Sequence, residues 1–375
     1  MNDYSYEGKL AVLQHTMREE GLGALLLYSS GQLSMLEVNA VRWLSGVLPM
    51  GPNTGILVPA SGEPRLVISL PWDEGRVRGA SSVPEIRVSE DFTVAIAEGI
   101  RDKKVSGKIG ILGWAFMPTA VFLGLEGIDG VRFESGDAIL GTLSSKPGPS
   151  GLAELKRAAV MADVGFSALL ERACVGMLEY ELSAEVEYAM RALGSEDNFG
   201  MVTASDHNHC THPPQDRKIA EGDVIIAEIT PAVGGQFVQL CRTAVVGAVS
   251  PLLREKFDIM EEAMAKSLAA VRPGNKVGDV SRAMNQVFAA HGYADYCKPP
   301  YIRVRGHGLG FMSLPFSEMI DENETIIEEG MDFVVHPNQY IPETGYLMLG
   351  DTVWVDAQGC QRLTETPMQL FSIGG

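Results

Sequence analysis

Histidine is the side chain whose charge changes nearest to neutral pH. Six of the seven in this 375-residue chain fall in its second half, five of them (His207, His209, His212, His307 and His336) in polar segments bounded by glycine or proline. Three of them, His207, His209 and His212, stand in Thr203-Ala204-Ser205-Asp206-His207-Asn208-His209-Cys210-Thr211-His212-Pro213-Pro214-Gln215-Asp216-Arg217. That loop is dense in proton-carrying groups, and a neutral imidazole in it could act as a general base. The competing reading is a network of Asx and Ser/Thr turns; the three-histidine spacing matches no zinc-ligand pattern. A fourth, His307, lies in Arg303-Val304-Arg305-Gly306-His307-Gly308-Leu309-Gly310-Phe311, where flanking glycines let backbone and ligand approach closely. If that segment is extended, Arg303 and Arg305 share one face and could hold a carboxylate bidentately, with surface solvation as the alternative. His336 ends the apolar run after Asp332, and Asp351 ends the run after Tyr346. Both lie where sheet-based sites usually collect their polar groups.

Positioning such groups requires strands and helices, and the chain supplies both. A helix is expected over Tyr6–Glu20, from Leu10, Leu13 and Met17 near helical spacing, then a buried strand over 24–28. Strands at 55–59 and 64–68 flank Ala60-Ser61-Gly62-Glu63, a hairpin signal. Alternating strands and helices to about residue 145 predict a small α/β domain. Lys146-Pro147-Gly148-Pro149-Ser150-Gly151 reads as a linker, since proline and glycine propagate neither periodic structure. Beyond it, amphipathic helices are expected over 152–174 and 180–193, strands over 224–229 and 235–246, and helices over 252–271 and 277–291. Strands return at 332–335, 346–349 and 352–355. The domains are therefore 1–146 and 152–375.

Composition narrows the function. The net charge of −18 would repel nucleic acid and anionic membrane alike, so neither is an expected partner. No apolar run is long enough to span a bilayer, and the acidic, polar start Met1-Asn2-Asp3-Tyr4 lacks the layout of a signal peptide. Five scattered cysteines do not form a disulfide framework, which makes a reducing cytoplasm the expected location.

From about Glu154 to Thr364 the chain resembles the creatinase/prolidase/methionine aminopeptidase superfamily. The resemblance rests on an entry helix with Gly176-Met177-Leu178-Glu179-Tyr180-Glu181-Leu182 after it and on the approach Asp216-Arg217-Lys218-Ile219-Ala220-Glu221-Gly222-Asp223-Val224. It rests also on Gly306-His307-Gly308-Leu309-Gly310 and the turn Glu329-Gly330-Met331. It implies an α/β N-terminal domain and an α+β pita-bread C-terminal domain, a curved, mostly antiparallel sheet with helices on its outer face. Metallopeptidases of the superfamily hold two divalent ions through two aspartates, a histidine and two glutamates. Carried across, those positions fall on Glu228, Gln239 (before Arg242-Thr243), His307, His336 and Gly350, with Asp351 beside the last. Only one carboxylate stands among them, so no dinuclear centre, metal or cofactor is assigned. Creatinase, which resembles this pattern in working without metal, uses a loop histidine that falls on Thr211, next to His212 and near His209. Its guanidinium-binding acid falls on Cys241.

The expectation is a metal-independent, creatinase-like hydrolase of a small, neutral or anionic, non-peptide molecule, cutting an amide-like C–N bond. His307, His336, His212, His209 and Glu228 are the catalytic candidates. Arg42, Arg303, Arg305, Gln239, Cys241, His207 and Asp351 are the binding candidates. Arg42 falls where the resemblance implies a segment reaching a partner subunit's site, which makes a homodimer the expected assembly; a surface arginine beside a core tryptophan is the alternative. A lyase, a mononuclear metal-dependent hydrolase on His307, His336 and Gln239 or Glu228, and a non-catalytic ligand-binding protein are the rival readings.

Overall fold

The computed structural model describes residues 5–31, 39–139, 145–309, 311 and 318–374. The chain divides into two compact units, Met1–Pro149 and Ser150–Gly375. Among the described residues no helix is long and apolar enough to cross a membrane.

The N-terminal unit begins with α1 (Tyr6–Glu20), where the Ser5 side chain accepts the Gly8 N–H and left-handed Gly21 ends the helix. Next come β1 (Ala24–Ser29), α2 (Ala40–Ser45), β2 (Thr54–Pro59), β3 (Arg65–Ile68), α3 (Glu74–Ala80), β4 (Glu85–Val88), α4 (Phe92–Asp102), β5 (Gly107–Leu112), α5 (Thr119–Glu126) and β6 (Val131–Ser135). They build one sheet in the order β4-β3-β2-β1-β5-β6. All of β1 is buried, which suits a strand whose run Ala24-Leu25-Leu26-Leu27 needs cover on both faces. The β2–β3 pair is the expected hairpin.

The C-terminal unit opens with α6 (Gly148–Arg172), which starts four residues earlier than its apolar periodicity implied. Proline is tolerated in a helix's first turn, where its missing N–H has no partner to lose, so the expected linker is partly the start of α6. After α6 come α7 (Glu179–Ala192), β7 (Asn198–Ser205), β8 (Val224–Val233), β9 (Gln236–Phe237), β10 (Leu240–Val246), α8 (Pro251–Ala270) and α9 (Val277–Ala290). Short strands then alternate with turns: β11 (Gly306–Gly308), β12 (Asp332–Val335), β13 (Gln339–Ile341), β14 (Gly345–Leu347), β15 (Gly350–Asp356), β16 (Gly359–Arg362) and β17 (Phe371–Ile373). The main sheet runs β11-β12-β15-β10-β8-β7 with antiparallel neighbours throughout, and β17 joins β10 in parallel. A curled, mostly antiparallel sheet flanked by helices in one unit and an α/β sheet in the other is the expected fold class.

Period-two alternation sorts the strands into two cores. Ile225, Ala227 and Ile229 of β8 pack with Phe166, Leu169, Leu182 and Val186 of α6 and α7. Val224 and Ile226 pack in the other cluster with Phe257, Met260, Met284 and Phe288 of α8 and α9. On β10, Leu240 and Ala244 go to the first cluster, Cys241 and Val245 to the second. The same alternation puts Glu228 on the face of Val224, Ile226 and Cys241.

Candidate functional site

Five separate segments converge at one end of this sheet. In the pairing of β10 with β8, Cys241 faces Glu228, and on its other side Cys241 faces Gly350 of β15. Gln239, just ahead of β10, is fixed by an exchange with Thr352, donating its N–H at 2.8 Å and accepting the hydroxyl at 3.0 Å. From there its Nε2 reaches Cys241 Sγ at 3.7 Å, and Cys241 Sγ lies 4.0 Å from Glu228 Oε2. His336 follows β12, its N–H donating to Arg305 O at 3.1 Å. His307, in the middle of β11, sets its ring edge-on to that of His336, with centroids 5.7 Å apart. A Cβ on Gly350 would lie 2.7 Å from His336 Cβ and 3.2 Å from Cys241 Cβ. With His336 in place, position 350 has no room for a side chain.

The electrostatics of this cluster follow from burial. Desolvation pushes the Glu228 carboxyl up to about 7, against a hydrogen bond from Gln239 that favours the ionised form. Burial lowers His307, and its Nδ1–H donates to Gly308 O at 2.9 Å, leaving Nε2 as the acceptor nitrogen. His336 is driven down to about 3 by burial first and by His307 second. It is therefore neutral at any ordinary pH, and its Nδ1 meets no partner among the described residues. The Cys241 thiol is fully buried and held well above its usual range, by desolvation and then by Glu228. The thiol is therefore kept protonated, packed between Glu228 and Gly350. Among the described residues no group of three or more His, Cys, Asp or Glu side chains is placed to hold a metal ion.

Several other candidates have different duties. Asp351 is fully buried and accepts hydrogen bonds from Arg242, Arg362 and Thr364, so it fastens strands together instead of binding substrate. Arg305 turns inward, with Nε donating to Asn285 Oδ1 at 2.8 Å, Nη1 to Asn338 O at 2.7 Å and Nη2 to Gln339 Oε1 at 2.8 Å. Arg303 is exposed and paired with Glu318. The two arginines do not form one carboxylate clamp, because one is bound into the core and the other is on the surface. His212 donates Nδ1–H to Pro213 O at 2.9 Å within its own loop. His207 shares a 3.2 Å hydrogen bond with Tyr340 Oη, and His209 stacks on the Tyr340 ring with centroids 6.0 Å apart. His207 and His209 thus gather around Tyr340, apart from His212, and among the described residues the ring of His307 meets that of His336 instead. Arg42 lies in α2 of the N-terminal unit and is buried, against the surface reading. Gly310, the last residue of the His307 motif, lies outside the described residues.

Three positioning residues escaped the sequence reading. Glu179, at the start of α7 and fully buried, accepts the Ala204 N–H at 2.8 Å and the Gln215 N–H at 2.9 Å, holding both ends of the histidine loop. Asn208 donates to Val224 O at 2.7 Å and accepts the Tyr346 N–H at 2.6 Å. A Cβ on Gly345 (φ 81°) would strike the Asn208 backbone at 2.7 Å, so glycine is required there. Tyr340 is the third. A carboxylate opening an amphipathic helix was the only available signal for Glu179; Asn208 and Tyr340 carried none.

Comparison with known proteins adds to this geometry. Residues 153–357 match the model of metallopeptidase family M24. The chain is 29% identical over 220 residues to an Xaa-Pro dipeptidase of Pyrococcus furiosus, a match covering 58% of this chain and 62% of that protein. Over 335 residues it is 23% identical to an Xaa-Pro dipeptidase of Pyrococcus horikoshii, covering 88% and 92%. Among solved structures, the prolidase from Pyrococcus horikoshii OT3 has a TM-score of 0.84 at 21% identity over 96% of this chain and 98% of that one. A recombinant prolidase from Thermococcus sibiricus has a TM-score of 0.86 at 23% identity over 99% and 100%. These relatives overturn the expectation of a metal-independent, creatinase-like hydrolase of a non-peptide C–N bond. They are named as dipeptidases, and the matching family is one of metallopeptidases.

Proposed function

The chain belongs to metallopeptidase family M24, and we propose that it is a prolidase-like hydrolase of short peptides whose reacting groups are Glu228, His307 and His336. The reading is supported by relatives named Xaa-Pro dipeptidase. The single observation that carries it is the convergence of Glu228, Cys241, Gly350, His336 and His307 from five strands and strand ends onto one sheet end.

We infer further that this sheet end does not assemble the two-ion centre of the superfamily. Two divalent cations need several anionic ligands to offset their charge. Here the corresponding positions offer one carboxylate, one amide, two neutral imidazoles and a glycine, and the glycine's side-chain space is taken by His336 and Cys241. The residues do not fit that pair of ions.

The chain's own groups suit an uncharged amide. A carboxyl near 7 exchanges its proton at working pH, so Glu228 can take a proton from an attacking water and return it to the leaving nitrogen. Gln239 steadies its ionised form. His307, with Nδ1–H held by Gly308 O and its pKa lowered by burial, brings a neutral imidazole to the same sheet end.

The test is proline release from Xaa-Pro dipeptides, measured on chelator-treated protein and again after stepwise addition of manganese, cobalt or zinc, alongside the metal content of each sample. Proline release with fewer than two bound ions per chain is the expected result. Release only at two ions per chain would refute the inference about the ligand set. No release under any condition would refute the peptidase reading.

A further inference from the structure

His336 stands where backbone pairing stops. The ladder of β11 and β12 sets Gly306 opposite Val335, and its last bond runs from the His336 N–H to Arg305 O at 3.1 Å. Residues 336–338 belong to no strand, and Pro337 has no N–H to offer. The course of this stretch must therefore be set by side chains.

Arg305 supplies most of that restraint. It lies two residues before His307, is 2% exposed and sits over the Phe288 ring, its guanidinium carbon 4.8 Å from the ring centroid. Nη1 donates to Asn338 O at 2.7 Å and Nη2 to Gln339 Oε1 at 2.8 Å. With the His336 bond, three bonds from one residue fall on 336–339. Nε donates to Asn285 Oδ1 at 2.8 Å, which fastens the guanidinium to α9. The three side-chain acceptors are neutral, and among the described residues no carboxylate stands within ion-pair distance of Arg305. Arg242, an arginine of the same unit buried as deeply, is paired with Asp351 at 2.9 Å. Burying a cation this way is costly, and desolvation lowers the Arg305 pKa against the opposing pull of Cys297 and Asp321. What a guanidinium provides there, and an apolar side chain does not, is a rigid planar fork that reaches several acceptors at once.

We propose that Arg305 is a positioning residue for the reaction, holding the His336 ring against that of His307 at the 5.7 Å separation and 69° interplanar angle of the pair. The inference rests on the reading that these two histidines are reacting groups. Arg305 is tied to His307 through the chain and to the His336 stretch through its fork, so the two rings are held in one frame. Its burial keeps it off the substrate.

The experiment combines nuclear magnetic resonance of the full chain labelled with ¹⁵N-histidine and steady-state proline release from an Xaa-Pro dipeptide. His307→Ala and His336→Gln assign the two ring signals. Arg305→Lys keeps the charge and loses the fork. It should displace both ring signals and leave that of His15, in the N-terminal unit, in place. It should lower kcat by about 10–100-fold with KM within about threefold, since reacting groups are misplaced while no substrate contact is lost. Asn285→Ala is the milder variant, because the recorded bonds of Asn285 reach Arg305 and Asp321 and neither histidine. It should displace the same two signals by less, and it decides the matter if Arg305→Lys does not fold. A lowered Tm with both ring signals and kcat as in the parent would reduce Arg305 to a structural residue and overturn the proposal. A raised KM at unchanged kcat would overturn it as well. No proline release by the parent would overturn the peptidase reading, and the ring signals would still decide whether Arg305 sets the histidine pair.

Discussion

Substituting Gly350 by alanine probes how the sheet end is built, and the outcome can be worked from distances. The added methyl would lie 2.7 Å from His336 Cβ, 3.2 Å from Cys241 Cβ and 3.2 Å from Val335 O, all on buried groups with little freedom to retreat. Overpacking of this kind costs about 1–3 kcal/mol. The backbone at 350 lies outside the left-handed region, so alanine also gains about 0.4–1 kcal/mol by restricting the unfolded chain. The net is a loss of about 1–2 kcal/mol, or a Tm lower by about 2–8 °C for a unit of this size. Replacing His336 by glycine removes the closest of the three contacts. In a double-mutant cycle, Gly350→Ala should therefore cost at least about 1 kcal/mol less in the His336→Gly background than in the parent. Thermal unfolding of the four proteins measures this directly. Strictly additive effects, or a Gly350→Ala protein as stable as the parent, would refute the claim that His336 and Gly350 are complementary replacements.

Three further outcomes follow from the same site. The Glu228 carboxyl, near 7 in the fold against about 4.5 when unfolded, binds its proton more tightly in the native state, so stability falls as pH rises between those values. Glu228→Gln removes a cost of order 3 kcal/mol above pH 7 and should show a Tm advantage over the parent that grows from pH 4.5 to 8. His336, near 3 against about 6.5, works in the opposite direction: its contribution is complete above pH 6.5 and is lost as pH falls toward 3. His336→Gln should flatten that acid limb in a pH series of unfolding curves. Asp351→Asn breaks a buried ion pair with Arg242 and weakens the bond to Arg362; a loss of about 3–5 kcal/mol in chemical denaturation is expected, with dipeptide KM unchanged in whatever protein still folds.

The fold was legible in the sequence because its signals are local or ordered. Runs such as Ala24-Leu25-Leu26-Leu27, the hairpin at Gly62 and the spacing of Leu182, Val186 and Met190 each report an element within one window. The convergence of Glu228, Gln239, His307, His336 and Gly350 came from the superfamily resemblance, since no periodicity brings residues 228 and 350 together. What failed was the duty of polar residues at strand ends. Asp351 looked like a binding group because its partners Arg242 and Thr364 are remote or unremarkable in sequence, yet they bury it completely. Arg303 and Arg305 alternate as an extended pair should, but Phe288 and Asn285 of α9 draw only Arg305 inward. The loop histidines were visible because proton-carrying groups are numerous there, while the residues that set the loop's course, Glu179 and Asn208, lie at its borders or are chemically plain. The class of bond was misjudged for a physical reason as well. Missing carboxylates speak about ions, and they do not by themselves say what substrate occupies the site.

The central claim is that Glu228, His307 and His336 carry peptide hydrolysis, and steady-state proline release from an Xaa-Pro dipeptide by the parent and three variants tests it most directly. Glu228→Gln and His307→Ala should each lower kcat by about 10²–10⁴ while folding normally, and the control His212→Ala, half-buried in its own loop, should leave it within twofold. Unchanged kcat in Glu228→Gln and His307→Ala, or loss only in His212→Ala, would contradict the account.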